Sequence, residues 1–187
     1  MSEPLIGEPL ALDLVNTRYA EGDHLDTPAA LGSWLRLQAT LQAGRLPGPV
    51  PDTLTDADLD AVRAVRQHTA TAVQHARNGD APPASVLDAL TDAQAAAPAV
   101  RELTWNGEKI AATRRRSGPY GVRLAAHLAE AAADLLADSK IGQVRGCEAD
   151  DCLMLFLPAH PRRRWCSAAR CGNRARVARY YERHKDS

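Results

Sequence analysis

The stretch that decides the fold runs from C-E-A-D-D-C at residues 147–152 to C-S-A-A-R-C at residues 166–171. It holds all four cysteines of the 187-residue chain, as two C-x4-C pairs that thirteen residues separate. Two close pairs joined by a short insert are typical of a tetrahedral zinc site, because each pair supplies two thiolates from one side of the ion. The predicted ligands of one structural zinc ion are Cys147, Cys152, Cys166 and Cys171.

Two disulfide bonds are the main alternative for these cysteines. They need an oxidising compartment, and the opening Met1-Ser2-Glu3-Pro4-Leu5 shows no basic region or long apolar stretch of a secretion signal. No segment approaches the roughly 20 apolar residues of a membrane span. We therefore expect reduced cysteines, zinc and a cytoplasmic protein. Four cysteine ligands leave no open position for a catalytic water, so the expected ion is structural.

The charge distribution divides the chain at about residue 140. Residues 1–139 contain 12 Lys/Arg and 18 Asp/Glu, whereas residues 140–187 contain 11 and 5, so a net charge of zero conceals balances of −6 and +6. The length suits one domain plus a small module. We predict an N-terminal domain at 1–139 and a zinc module at 140–187, and the basic module predicts a polyanionic partner.

The N-terminal part has mostly helical patterns. Thr27 followed by Pro28, and Thr55 with Asp58 three residues on, are helix-start signals. A hairpin is predicted by Asn106-Gly107, which separates two short strand-like runs. Helices are expected over Glu8–Tyr19, after Thr27, from Thr55 to Asn78, from Pro83 to about Ala96, and from Tyr120 onwards. The fold class is therefore α+β, mostly helical with a small antiparallel sheet.

Polar residues lie among the leucines of the first helix. Asp13, Asn16 and Thr17 could line a ligand pocket, and capping or buried hydrogen bonding explains them equally well. The chain contains no Ser-His-Asp, glycine-rich phosphate-loop or paired-carboxylate signature. We therefore expect no enzyme and keep these three residues as a candidate ligand site.

The tail has the pattern of a treble-clef-like zinc module. Leu153–Leu157 is predicted as a strand, residues 158–161 as a turn and Arg162–Trp165 as the returning strand. Cys171 is expected in the first turn of a helix that runs to about Arg183. So small a core depends on the ion, whose binding contributes on the order of 10 kcal/mol in comparable peptides.

Arginines dominate the end of the chain. Arginine suits the gripping of phosphates and the bidentate recognition of guanine, which predicts contact with nucleic acid. The alternative is a solvated helix whose arginines pair with acidic groups. The candidate DNA-binding residues are Arg162, Arg163, Arg164, Arg170, Arg174, Arg176, Arg179 and Arg183.

The string R-R-R-W-C-S-A-A-R-C-G-N-R-A-R-V-A-R-Y-Y-E-R resembles the CGNR zinc finger, named for the tetrapeptide at residues 171–174. The opening L-A-L-D-L-V-N-T, Leu10 to Thr17, resembles the start of the ABATE domain. The resemblance implies a bacterial, stress-related transcription regulator whose treble-clef-like finger contacts DNA. It also implies that the family's four zinc ligands correspond to the four cysteines of this chain. The chain departs from the family at Pro158-Ala159-His160-Pro161 and at Ala168.

Together these patterns predict a DNA-binding regulator. The N-terminal domain would sense a small-molecule effector or form a homodimer, and two zinc modules would then engage two half-sites on duplex DNA. One alternative is an RNA-binding or protein-interaction adaptor. A preference for duplex over single-stranded nucleic acid would distinguish the DNA-binding regulator from this alternative. Another is a thiol redox switch, in which oxidation releases the metal.

Overall fold

The computed structural model describes residues 6–19, 22–42 and 44–177. The helices are α1 (Leu10–Val15), α2 (Pro28–Leu41), α3 (Asp56–Arg77), α4 (Ala84–Ala95) and α5 (Tyr120–Ala137). The strands are β1 (Arg18–Tyr19), β2 (Gly22–Asp23), β3 (Val100–Trp105), β4 (Ile110–Arg115), β5 (Arg145–Gly146) and β6 (Leu155–Phe156). A 3-10 turn spans Ile141–Gln143, and a π-helical turn at Ala168–Gly172 continues as helix over residues 173–177.

The helix-start signals are confirmed. The hydroxyl of Thr27 accepts from the N–H of Ala30. Thr55 and Asp58 form the predicted capping box at the start of α3. The same Asp58 carboxylate also accepts from the N–H of Gly121, at 2.7 Å between nitrogen and oxygen. One side chain therefore caps α3 and joins it to the first turn of α5.

The main core lies between α3 and α5, with α1, α2 and α4 packed around them. Each helix turns one apolar stripe inwards, as a period of about 3.6 residues requires. Fully buried members of this core include Leu12, Leu14, Leu31, Leu35, Val62, Val73, Leu124 and Leu128. None of the helices in the described ranges has the length and hydropathy needed to span a bilayer.

The hairpin exists, but the predicted two-residue turn is wrong. Trp105 pairs with Ile110, so residues 106–109 form a four-residue loop. The side chain of Asn106 accepts from the N–H groups of Glu108 and Lys109 and closes the loop from within. Gly107 adopts φ +101°, which favours glycine. The two strands pair only with each other in the described residues, and almost every residue in them is exposed.

The predicted partner of the Leu153–Leu157 strand is also wrong. Of this run, Leu155–Phe156 forms a strand, β6. It pairs with β5, which precedes it in the chain, and Gly146 lies opposite Leu155. Residues 162–165 form turns and bends instead of the returning strand, because Arg163 folds back onto the core. Cys171 lies in a helical turn as expected. The predicted extent of that helix to Arg183 lies outside the described residues.

Strand β6 belongs to two cores at once. Successive side chains of a strand point to opposite sides, so Leu155 enters the main core with α1 and α3. Phe156 and Met154 enter a second, smaller core with Cys166 and Cys171. The zinc module is therefore packed on the N-terminal domain through its own central strand, and the division at residue 140 stays a prediction.

Two polar side chains of the N-terminal segment fix this contact. The amide of Asn16 donates to the C=O and accepts from the N–H of Leu155, both at 2.8 Å, as a neighbouring strand would. Glu8 accepts from the N–H of Leu157 and pairs with the guanidinium of Arg163 at 2.7 Å. Because Glu8 and Asn16 are almost fully buried, these bonds are shielded from water and hold the module in one register.

The contact between α3 and α5 predicts a strict size limit at Gly121. A Cβ there would lie 2.6 Å from Asp58 Oδ1 and 2.7 Å from Asp58 Cα, and the latter is backbone that cannot swing away. We expect Gly121→Ala to lower the free energy of unfolding by about 1–3 kcal/mol. Urea unfolding followed by circular dichroism measures this. Gly142→Ala, whose Cβ meets nothing within 4 Å, is the control, and equal stability of the two variants would contradict the packing described.

The Asn16 bonds predict a second stability effect. Asn16→Asp keeps the shape but removes the donor to the Leu155 carbonyl and buries a charge. We expect a loss of about 2–4 kcal/mol and faster proteolysis after residue 140. Asn173→Asp, the same change at an exposed position, should stay within about 0.5 kcal/mol. If Asn16→Asp is as stable as the parent, the zinc module is not held by this residue.

Candidate metal centre and basic surface

The four cysteines converge at the end of β5 and at the start of the C-terminal helix. Cys147 and Cys152 flank a tight turn in which the N–H of Cys152 donates to the C=O of Ala149. Asp151 adopts φ +59° in this turn, a conformation that aspartate tolerates better than most residues. Cys166 precedes the π-helical turn, Cys171 lies within it, and both are buried. The two pairs thus face each other across one small volume.

The sulfur separations match the size of a zinc ion. The Sγ atoms of Cys152, Cys166 and Cys171 lie 3.8, 3.5 and 3.7 Å from one another. All four Sγ atoms lie within 4.8 Å of one another. Four sulfurs at about 2.3 Å from a tetrahedral zinc are about 3.8 Å apart. All four cysteines are free of disulfides, so the geometry suits one structural zinc ion.

Backbone N–H groups support the sulfurs. The N–H of Cys166 donates to Cys147 Sγ at 3.3 Å, and further backbone N–H groups point at Cys147 from Ala149 and at Cys152 from Met154. Such bonds stabilise thiolates and orient them toward a cation. The N–H of Gly172, directly after the last cysteine, donates to the C=O of Ser167.

Burial and the crowding of the sulfurs shift the pKa values of the cysteines. Burial together with the neighbouring Cys147 and Cys171 thiols raises the pKa of Cys152 to about 11. Burial and the adjacent sulfurs also raise the pKa of Cys166. At Cys147 burial acts in the same direction, but the N–H groups of Cys166 and Ala149 outweigh it and lower the pKa. Four thiolates this close repel one another, and a divalent ion removes the repulsion.

Arg174 ties the second cysteine pair to the first. Its guanidinium donates to the C=O of Asp150 at 2.8 Å and lies 4.0 Å from Cys171 Sγ. A positive charge beside a four-thiolate zinc site offsets part of its net negative charge. This role was not predicted, because only the folded chain brings residue 150 next to residue 174.

The candidate DNA-binding arginines fall into three groups. Arg163 is engaged internally with Glu8, with the carbonyls of Trp165 and Cys166, and with the ring of Phe156, so we leave it out of the proposed interface. Two others have partners within the module but stay exposed, Arg164 with Glu148 and Arg174 with Asp150. The third group, Arg162, Arg170 and Arg176, is also exposed on the module, and Arg176 donates to Asn173 Oδ1 at 3.1 Å. Arg179 and Arg183 lie outside the described residues.

The three candidate ligand residues of α1 are buried and bonded within the chain. Asp13 accepts from Gly7, Glu8, Gln38 and Arg45. Asn16 holds Leu155, and Thr17 donates to Leu14 and accepts from Arg66. Burial raises the pKa of Asp13 despite these donors. Their ligand-binding role stays a prediction, whereas the buried hydrogen bonding that the sequence equally allowed is present.

A cleft of about 440 Å³ lies beside this network. It opens between the end of α1, the outer face of α3 and the zinc module, where Val15, Arg66 and Leu153 line it. Neither Asp13, Asn16 nor Thr17 lines it. Its position was not foreseeable, because α3 and Leu153 meet there only after the zinc module docks.

Two protein-family models match the chain. The ABATE model, described as "Putative stress-induced transcription regulator", matches residues 8–139. The CGNR zinc finger model matches residues 143–184. A comparison with curated proteins found no match. The two matches occur in the order that the resemblance implied.

The geometry of the cysteines predicts one zinc ion per chain, bound with proton release. Cys171→Ser should lose the ion and unfold the module, because serine is a poor zinc ligand and the small core depends on the metal. Metal analysis and near-ultraviolet circular dichroism of the module's Trp165 measure the two effects. Glu148→Gln, a change between two ligands that removes no sulfur, should keep the full zinc content. Retention of one zinc by Cys171→Ser would contradict the proposed ligand set.

Proposed function

Because the chain belongs to the ABATE family and carries a CGNR zinc finger, we propose that it is a transcription regulator that binds duplex DNA. The observation that carries the proposal is the exposed arginine set on the zinc module. A module built on four cysteines has no open coordination position and supplies shape rather than chemistry. We propose no catalytic role, and we place the protein in the bacterial cytoplasm.

The distribution of charge on the module supports binding of a polyanion. Arg162 and Arg176 have no carboxylate partner in the described ranges, so a phosphate would not have to displace a carboxylate of those ranges there. Arg176 donates to the amide oxygen of Asn173. Arg164 can exchange its exposed ion pair with Glu148 for a phosphate at small cost. Arg174 lies on the same module and stays exposed while it holds the C=O of Asp150. Guanidinium groups grip phosphate with two parallel hydrogen bonds. The proposed interface is therefore Arg162, Arg164, Arg170, Arg174 and Arg176, continued by Arg179 and Arg183.

The cleft supports a sensing role for the N-terminal domain. Its lining includes Arg18 and His75, together with Arg66, whose guanidinium is already paired with Asp23, and no carboxylate lines it. It is of a size that small-molecule sites commonly have. Because Leu153 follows a zinc ligand directly and Val15 precedes Asn16, an occupant would touch both sides of the contact between domain and module. We propose that a small organic anion bound here adjusts the position of the module.

The test of the function is DNA binding by the zinc-loaded full chain. The full chain is needed because Leu155 lies in the main core. We expect binding to mixed-sequence duplex that weakens steeply between 50 and 200 mM salt, with a log–log slope of about −0.9 for each phosphate contacted. Arg162→Gln combined with Arg176→Gln should reduce the magnitude of that slope by about 2. Fluorescence anisotropy with a labelled duplex measures both.

Controls separate specific loss from general loss of charge. Arg36→Gln removes an equally exposed arginine from α2 and should leave the slope unchanged. Tighter binding to single strands than to duplex would favour an RNA-binding adaptor instead. If the zinc-loaded chain ignores both at 50 mM salt, the basic surface serves a protein partner and the proposal fails.

A further inference from the structure

The β3–β4 hairpin presents an apolar surface that the described chain leaves uncovered. Leu103, Trp105 and Ile110 are 67%, 66% and 67% exposed. The register places Trp105 opposite Ile110 and Leu103 opposite Ala112. Directly opposed residues, and residues two apart on one strand, lie on the same face. Their side chains therefore form one continuous apolar face, of the kind that marks a protein interaction site.

Three consecutive arginines at the end of β4 are already paired. Arg114 and Arg116 both bind the carboxylate of Glu130 on α5, and Arg115 pairs with Glu102 at 3.1 Å. A phosphate backbone would have to displace these carboxylates, and the outer half of the hairpin offers it an apolar face. The paired arginines and the apolar face of the hairpin therefore favour an apolar protein partner over nucleic acid.

We propose that the hairpin, residues 100–115, is an arm through which two copies of the chain form a two-fold symmetric dimer. A two-fold axis that crosses two such arms in antiparallel orientation sets the base of one beside the tip of the other. Arg101 lies at the base on the apolar face, and Glu108 lies in the tip loop. Neither makes an ion pair within the described residues, so each arm brings the charge that the other lacks.

The same arrangement pairs Arg101 with an aromatic ring. Trp105 lies four residues beyond Arg101 on the same face, so in the antiparallel pair each Arg101 reaches Trp105 of the second copy. Guanidinium–indole contacts of this kind are attractive and common. A second copy therefore satisfies the apolar, charged and aromatic features of the arm together.

The available area sets the strength of the dimer. A large aliphatic side chain buries roughly 60–120 Å² and a tryptophan about 150–250 Å². At two-thirds exposure, Leu103, Trp105 and Ile110 contribute roughly 200–300 Å² per copy, and the strand edges add to it. The total lies at or below the lower limit of specific interfaces, about 1,200 Å². We therefore expect a reversible dimer with a Kd in the micromolar range.

The dimer deepens the proposed function and in that respect rests on it, because two linked zinc modules would contact one duplex simultaneously and gain affinity from their connection. Self-association itself is measured without DNA. A dimer that ignores DNA would leave this inference standing and remove the function, and a monomer that binds DNA would do the reverse.

The experiment is sedimentation equilibrium of the zinc-loaded full chain from about 2 to 200 μM. We expect the mass to rise from 20.1 kDa toward twice that value. Trp105→Glu and, separately, Leu103→Glu should raise the dissociation constant at least tenfold, because each places a carboxylate on the apolar face. Leu87→Glu, at a leucine 42% exposed on α4, should leave it unchanged.

Three results would overturn the proposal. They are a monomer throughout the concentration range, a dimer that both arm variants preserve, and a dimer that Leu87→Glu weakens equally. Circular dichroism shows whether each variant keeps its helices. A Trp105→Glu variant that weakens DNA binding where the parent chain is monomeric would assign the arm to nucleic acid instead.

Discussion

The side-chain amide of Asn16 acts as a strand residue for Leu155, and the position of the whole zinc module depends on that pair of hydrogen bonds. An amide is the one side chain that supplies a donor and an acceptor in the spacing of a peptide group. Buried on both sides, the pair fixes the register of β6, and the pleat of β6 then sends Leu155 to one core and Phe156 to the other. Glu8 adds a further buried bond two residues along the chain, where its carboxylate accepts from the N–H of Leu157. The cysteines decide the module's own shape, but these two polar residues decide where it lies.

The local features could be predicted from the sequence, and the long-range contacts could not. The Thr55–Asp58 capping box and the Thr27–Pro28 helix start each consist of residues no more than four positions apart. The starts of α2 and α3 could therefore be predicted from the local sequence. The cysteine cluster was predictable because two C-x4-C pairs that a short insert separates are the usual spacing of a four-cysteine zinc site. The partner of β6 was not, because a five-residue apolar run fits an upstream strand as well as a downstream one, and only the folding back of Arg163 decides between them. Asp13, Asn16 and Thr17 were identified as unusual, but a buried bond and a ligand contact require the same residue types.

Arginine has three different uses within this one chain. Arg163 is a structural cation, half-buried against Glu8 and over the ring of Phe156. Arg116 anchors the hairpin to α5 through Glu130. Arg162 and Arg176 face solvent on the zinc module and carry the proposed interface. A count of arginines predicts a basic surface, and only the pairing of each guanidinium separates fold from function.

The partners Asn16 and Leu155 are 139 residues apart in the chain, and this distance has a consequence for biosynthesis. At 5–20 residues per second, the ribosome takes roughly 7–28 s to deliver Leu155 after Asn16 has emerged. During that interval the surface of the nascent helical domain that later packs against β6 stays exposed to solvent. A chaperone or another nascent chain has access to it. Folding of the zinc module, which contains Leu155, then depends on the supply of zinc. Zinc availability would thus govern the maturation of the whole polypeptide, including the helical domain, which supplies none of the four cysteines.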